Sequence, residues 1–107
     1  MSEETKNMIT QFQAYQQQLQ TILLQKESLN MQIFEIERAL EELNKTKENE
    51  AYKIAGQVMI KKPVEELKKE LSEAKESIEI RIKSLEKSEA KTNEKLKELE
   101  TKIREKI

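Results

Sequence analysis

Hydrophobic residues recur along both halves of the chain, mostly in steps of three or four residues. This spacing places them along one stripe of an α-helix and is typical of the a and d positions of a coiled coil. We call the two stripes the seam, and they predict two long helices. In the first half the seam consists of Met8, Phe12, Tyr15, Leu19, Ile22, Leu29, Ile33, Ile36, Leu40 and Leu43. In the second half it consists of Val64, Leu67, Leu71, Ala74, Ile78, Ile82, Leu85, Leu96, Leu99 and Ile103.

Lys26 occupies the one seam position of the first half that is not apolar. A polar residue at such a position lowers the stability of a coiled coil, and in some proteins it fixes the register of the helices. The simpler interpretation is that the aliphatic part of Lys26 packs in the seam while its ammonium group reaches water. The sequence leaves both interpretations open, and we prefer the simpler one.

The segment between the two helices does not follow the helical period. Tyr52, Ile54, Val58 and Ile60 have the same parity, so an extended chain places them on one face. The single glycine of the chain, Gly56, lies at the centre of this segment, where a tight turn requires positive φ. The pattern predicts a β-hairpin that contains this turn.

The length of the loop decides which side chains share a face of the hairpin. A two-residue loop pairs Lys53 with Ile60, which places a charged residue among apolar ones. A three-residue loop pairs Ile54 with Val58 and Tyr52 with Ile60, which keeps one face apolar. We therefore predict the three-residue loop.

A hairpin at the midpoint makes the two helices antiparallel partners and leaves its apolar face uncovered, because both helices leave from the same end. A lone two-stranded hairpin is marginally stable, and its free edges invite pairing with other chains. We therefore predict a mainly α fold: a long antiparallel two-helix coiled coil with a single β-hairpin at its midpoint, the hairpins of several subunits assembling into an intersubunit β-barrel. Residues 1–107 form one domain, with a first helix at 5–48, the hairpin at 51–62 and a second helix at 63–106. Met59 points to the opposite face of the hairpin.

The composition argues against several classes of function. The chain has neither histidine nor cysteine, so the commonest general base, the thiolate nucleophile and the usual transition-metal ligands are missing. We predict no enzyme activity, no cofactor and no metal site. Charged residues make up 38% of the chain, but the net charge is −1, which does not suit a nucleic-acid-binding protein. No apolar run approaches the about 20 residues that cross a bilayer, so we predict a cytoplasmic protein without a membrane partner.

The hairpin segment YKIAGQVMIKK at residues 52–62 resembles the β-type subunits of the prefoldin family, most closely the archaeal ones. The stretches QQQLQ at residues 16–20 and LQK at residues 24–26 are also similar to that family. The resemblance extends over essentially the whole chain, and the hairpin is its specific part. The helices alone are similar to those of many coiled coils.

The resemblance implies an ATP-independent chaperone, a holdase, built from two α-type and four β-type subunits. It implies that the hairpins form the platform of this hexamer, that the distal ends of the coiled coils capture unfolded or nascent proteins, and that these clients pass to a group II chaperonin. The implied partners are thus a prefoldin α subunit, other copies of this chain, the chaperonin and unfolded clients. The candidate oligomerisation residues are Tyr52, Ile54, Gly56, Val58, Met59 and Ile60.

The coiled-coil end that holds both termini is the candidate client-binding tip. Its apolar residues are Met8, Ile9, Phe12, Leu99, Ile103 and Ile107. Ordinary packing in the seam also explains four of them, and only Ile9 and Ile107 lie off the seam. The alternative function is a structural or adaptor coiled coil that binds one partner helix.

Overall fold

The computed structural model describes residues 2–107. Two long helices flank a two-stranded sheet in the order α1 (Glu3–Lys45), β1 (Glu50–Ala55), β2 (Val58–Pro63) and α2 (Val64–Lys106). These bounds differ by at most three residues from those expected from the sequence. The described residues form two compact units: one contains the chain up to Ser28 together with Ile82–Ile107, and the other is Leu29–Arg81.

The ends of α1 follow from local hydrogen bonds. At the N-terminus the Ser2 hydroxyl accepts a hydrogen bond from the Thr5 amide at 3.2 Å, which caps the helix. At the C-terminus the Thr46 hydroxyl accepts a bond from the Glu48 amide, also at 3.2 Å. Because this local bond competes with the helical pattern, α1 ends at Lys45 and not at residue 48.

The second helix begins directly where β2 ends. The Val64 amide, which has no acceptor within the helix, donates to the carbonyl oxygen of Asn49 at 2.8 Å. Pro63 is the last residue of β2. At this end of the strand its missing backbone N–H does not interrupt the hydrogen bonds between β1 and β2. Glu65 and Glu66 in the first turn favour the positive end of the helix dipole. No residue therefore separates β2 from α2, whereas residues 46–49 connect α1 to β1.

The hairpin has a two-residue turn, so the prediction of a three-residue loop was wrong. Ala55 pairs with Val58 across Gly56 and Gln57, and Lys53 pairs with Ile60. Gly56 has φ +61°, while Gln57 does not have positive φ. Positive φ at the first turn position alone fits a type II′ turn, whose twist matches that of the flanking strands.

This register also corrects the predicted faces of the hairpin. Tyr52 and Ile54 share a face with Met59, whereas Val58 and Ile60 lie on the opposite face. We call the first the Tyr52 face and the second the Lys53 face; the second contains Ala51, Lys53, Ala55, Val58, Ile60 and Lys62. The sequence argument failed because it required one wholly apolar face. In the folded chain, lysines on the Lys53 face pair with a glutamate of α2.

The buried hydrophobic residues all belong to the predicted seam. They are Ile22, Leu29, Val64, Leu67 and Leu99. In each unit an ion pair joins the two helices. Lys26 meets Glu89 in the unit with the termini, and Lys75 meets Glu37 in the unit with the hairpin. Within residues 2–107, neither helix is apolar over a stretch long enough to cross a membrane.

Candidate functional site

The Tyr52 face of the hairpin is open to solvent. Tyr52, Ile54 and Met59 are 62%, 73% and 64% exposed. Three large apolar side chains lie side by side on this short surface because the cross-strand register aligns Ile54 with Met59. Although Tyr52 also borders a cavity lined by Leu43 and Leu67, the described part of the chain leaves most of the surface of these three side chains uncovered. A neighbouring surface that covered them would remove them from water and stabilise the hairpin.

The Lys53 face is partly apolar as well. Val58 is 58% exposed and Ile60 is 42% exposed, and both lie near the turn. The sheet has only two strands, so each strand keeps one unpaired edge. Apolar side chains on both faces and free backbone groups at both edges are the features of a sheet that becomes complete by adding strands from other chains.

Gly56 shapes the end of the hairpin. It is the one glycine with positive φ, and a Cβ atom added there would meet no atom within 4 Å. Glycine is therefore favoured at this position by the positive φ, and not by a lack of space for a side chain. All six candidate oligomerisation residues lie in β1, β2 or the turn between them.

A three-residue ion cluster connects the hairpin to α2. The carboxylate of Glu70 accepts a hydrogen bond from the Lys62 ammonium at 2.7 Å and one from the Lys53 ammonium at 3.2 Å. The hydrogen bonds from Lys62 and Lys53 hold the pKa of Glu70 below its ordinary value, against the opposing effect of burial. The bond to Glu70 in turn raises the pKa of Lys62. Both shifts favour the charged forms of Glu70 and Lys62 at neutral pH.

The candidate tip residues differ in how far they reach solvent. Leu99 is only 8% exposed and packs in the seam, while Ile107 is 86% exposed. The other four, Met8, Ile9, Phe12 and Ile103, are half-buried. Ile9, which its off-seam position suggested would be exposed, is thus partly covered. In this conformation Leu99 is not available to a client.

Sequence reasoning missed a further set of exposed apolar residues. They lie on the outer surfaces of the helices: Leu23, Leu24, Met31, Phe34 and Ile80. The guanidinium carbon of Arg38 lies 5.8 Å from the centre of the Phe34 ring, a distance at which a cation interacts with an aromatic face. The signal that identifies this set is an apolar residue at a position off the seam.

The described residues contain no group of three or more acidic side chains placed to hold a metal ion. The features that the hairpin does present are exposed apolar side chains and free strand edges. Such features suit assembly and the binding of other proteins.

Comparison with known proteins identifies the family. A model of the prefoldin family, described as "Prefoldin subunit", matches residues 6–107. The chain belongs to the prefoldin family. The prefoldin subunit beta of Thermococcus onnurineus (strain NA1) is 40% identical to this chain over 101 residues, which cover 94% of this chain and 87% of that protein. The prefoldin subunit beta of Methanospirillum hungatei JF-1 is 39% identical over 108 residues, covering 100% of this chain and 90% of that protein.

A solved prefoldin structure has the same fold. The crystal structure of the prefoldin beta subunit from Thermococcus strain KS-1 superimposes on this chain with a TM-score of 0.89 and 34% sequence identity. The superposition covers 97% of this chain and 92% of the other. The fold predicted from the sequence, two long helices with a central antiparallel hairpin, is confirmed.

Membership of the prefoldin family establishes the general role of the chain. It is a chaperone subunit and not an enzyme, and it belongs to a prefoldin hetero-oligomer. The similarity includes the hairpin and extends over nearly the whole chain, so an adaptor coiled coil is not favoured.

Proposed function

We propose that this chain is the β-type subunit of a cytoplasmic, ATP-independent holdase made of two α-type and four β-type subunits. Its hairpin joins those of the other subunits in a β-barrel platform, and its tip binds unfolded or nascent proteins. The complex then delivers these clients to a group II chaperonin. The observation that carries the proposal is the exposure of Tyr52, Ile54 and Met59 on a hairpin whose two edges are free.

The hairpin supports assembly for an energetic reason. Two strands alone are only marginally stable in water, and their exposed apolar side chains have an unfavourable free energy of solvation. A closed barrel pairs every strand edge and buries one face of each hairpin. The hairpin residues for which we propose this role are Tyr52, Ile54, Gly56, Val58, Met59 and Ile60.

The helix ends support client binding for a different reason. Ile107 is almost fully exposed, and Met8, Ile9, Phe12 and Ile103 each present part of an apolar side chain. Methionine and aliphatic side chains at helix ends adapt to partners of many shapes, as an unfolded client requires. Leu99 joins this surface only when the two helix ends separate.

Suppression of client aggregation tests the tip. We expect the complex formed with an α-type subunit to slow the aggregation of a chemically unfolded protein. The double variant Ile9→Ser, Ile107→Ser should need about fivefold more complex for the same suppression, because apolar contact area is lost. Ile80→Ser is the matched control, since Ile80 is 63% exposed but lies on α2 far along the sequence from either terminus. Equal loss of suppression in the control and the double variant would contradict a client site at the tip.

Transfer of the client tests the proposed delivery. A fluorescently labelled client bound to the complex should move to a group II chaperonin when the two are mixed without nucleotide. The two complexes can be separated by size and the label followed. A client that stays with the holdase at all chaperonin concentrations would contradict delivery while leaving the holdase function intact.

A further inference from the structure

One carboxylate of α2 contacts both strands of the hairpin. The Oε2 atom of Glu70 lies 3.2 Å from the Lys53 ammonium, and the Oε1 atom lies 2.7 Å from the Lys62 ammonium. Lys53 belongs to β1 and Lys62 to β2, and the strand register places both on the Lys53 face. Each oxygen of Glu70 therefore binds a different strand.

The two strands differ in how the chain itself attaches them to the helices. β2 continues into α2 without an intervening residue, so its direction is coupled to that of the helix. β1 is joined to α1 by residues 46–49, which have no helical or strand structure. The Lys53–Glu70 ion pair is a side-chain link from within β1 to α2, in addition to the backbone bond between Asn49 and Val64 at the base of the hairpin.

The surroundings of Glu70 make this link more than a loose surface contact. The side chain of Glu70 is 35% exposed, that of Lys62 25% and that of Lys53 47%, so water screens the charges only in part. Glu70 and Lys53 lie at the edge of an apolar cavity of about 430 Å³ whose lining includes Leu43, Leu67, Leu71 and Ala74.

Two further carboxylates lie near this ion cluster. Glu66, one turn earlier on α2, lies 3.9 Å from the Lys62 ammonium, and Glu42 of α1 lines the same cavity as Glu70 and Lys53. Lys53 and Lys62 are the cations that the hairpin contributes to this cluster. On the Tyr52 face, Lys61 pairs with Glu50 at 3.6 Å within the hairpin, so that pair does not connect the hairpin to a helix.

We propose that Glu70 is a positioning residue that fixes the hairpin at one angle to the helices and so presents its free edges in the direction that assembly requires. This inference rests on the proposed assembly of subunits through the hairpin. A hairpin held in one orientation loses less conformational freedom when neighbouring strands pair with it, and this preorganisation strengthens binding. Burial of the exposed apolar faces favours association, and the ion cluster of Glu70 sets the orientation of the hairpin.

The substitution Glu70→Gln tests the proposal, because it keeps the size of the side chain and removes its charge. The dissociation constant of the complex with an α-type subunit should rise by about 3- to 10-fold, as expected for the loss of two partly exposed ion pairs. Glu73→Gln is the control: Glu73 is exposed on the same helix and forms no ion pair with the described residues. It should leave the constant unchanged. An equal effect of both substitutions would overturn the proposal.

The orientation of the hairpin can be measured without assembly. The chain has no cysteine, so spin labels at Gln57→Cys and Ser77→Cys report the distance from the turn to α2 without background labelling. In the isolated chain the distance distribution should be narrow, and Glu70→Gln should broaden it. Reversing all three charges, with Glu70→Lys, Lys53→Glu and Lys62→Glu together, should restore both the narrow distribution and the assembly, whereas Glu70→Lys alone should not.

A second variant separates this inference from the proposed assembly. Ile54→Lys places a charge on the Tyr52 face and should prevent assembly while leaving the spin-label distance narrow. If Ile54→Lys assembled like the unaltered chain, assembly through the hairpin would itself be contradicted. If Ile54→Lys prevented assembly but Glu70→Gln changed neither the distance distribution nor the dissociation constant, the positioning role of Glu70 alone would be overturned.

Discussion

Lys26 illustrates how one residue is accommodated in the seam between two helices. Its ammonium group donates a hydrogen bond to Glu89 at 2.8 Å and lies 3.8 Å from Glu86, so it does not simply extend into water. The hydrogen bond to Glu89 raises the pKa of Lys26, although burial acts in the opposite direction. The two glutamates of α2 thus favour one alignment of the helices in this unit, which supports the interpretation of Lys26 as a register residue.

Replacing Lys26 by leucine tests how the ion pairs of Lys26 compare in stability with an apolar residue at the same position. The change fills an apolar position, so we expect the Tm of the isolated chain to rise by about 2–5 °C, because an apolar residue in a seam usually stabilises more than a half-buried ion pair. Glu89→Gln, which leaves the ammonium group with a weaker partner, should lower the Tm. Thermal unfolding followed by circular dichroism measures both, and a Tm lowered by Lys26→Leu would contradict this ranking.

The same residue gives a pH dependence of defined sign. Because the pKa of Lys26 is raised in the folded chain, its ion pairs contribute stability below the ordinary lysine value of 10.5, and this contribution is lost as pH rises through the raised pKa. The difference in Tm between Lys26→Leu and the unaltered chain should therefore be constant between pH 7 and pH 9 and grow above pH 10.5. A difference in Tm that became smaller at high pH would contradict this prediction.

At the scale of the secondary-structure elements, the helices were predictable from the sequence and the details of the hairpin were not. The seam repeats over many helical turns, so a single residue that departs from the pattern does not obscure it. Every buried hydrophobic residue lies on the seam. The hairpin has only six residues in each strand, and shifting the turn by one residue moves side chains to the other face.

The register depended on a contact that the sequence does not reveal. Lys53 argued against the two-residue loop because it would lie beside Ile60. The structure accommodates it by pairing it with Glu70, 17 residues away along the chain. Neither strand periodicity nor charge pattern identifies that partner, since many glutamates of α2 are equally plausible. For the same reason Met59 was assigned to the wrong face.

Two leucines of α1 provide a matched test of the seam. Leu29 lies on the seam and is 8% exposed, whereas Leu24 lies off it and is 60% exposed. We expect Leu29→Ala to lower the free energy of unfolding by about 2 kcal/mol, because it leaves a cavity between the helices. Leu24→Ala should change it by less than about 0.5 kcal/mol, since alanine favours helix and little buried area is lost. Urea unfolding of the isolated chain measures both, and equal effects would contradict the seam assignment.

At the scale of the whole molecule, the apolar surface of this chain is divided between two uses. Seam residues such as Ile22, Leu29 and Leu67 are buried within the chain, whereas the large hairpin residues are exposed, and in the proposed assembly other subunits cover them. Sequence reasoning located the exposed hairpin because no other segment was available to cover it. It did not find the exposed residues on the outer helix surfaces, such as Phe34 and Ile80, because single apolar residues off the seam are common on protein surfaces.

Native mass spectrometry of the chain mixed with an α-type subunit tests most directly whether the hairpin is the assembly element. The unaltered chain should form one hetero-oligomer that contains several copies of it. A variant in which residues 50–63 are replaced by a short flexible linker should keep its helical circular dichroism and yet remain outside the complex. A variant without the hairpin that assembled in the same stoichiometry as the unaltered chain would contradict the central role of the hairpin.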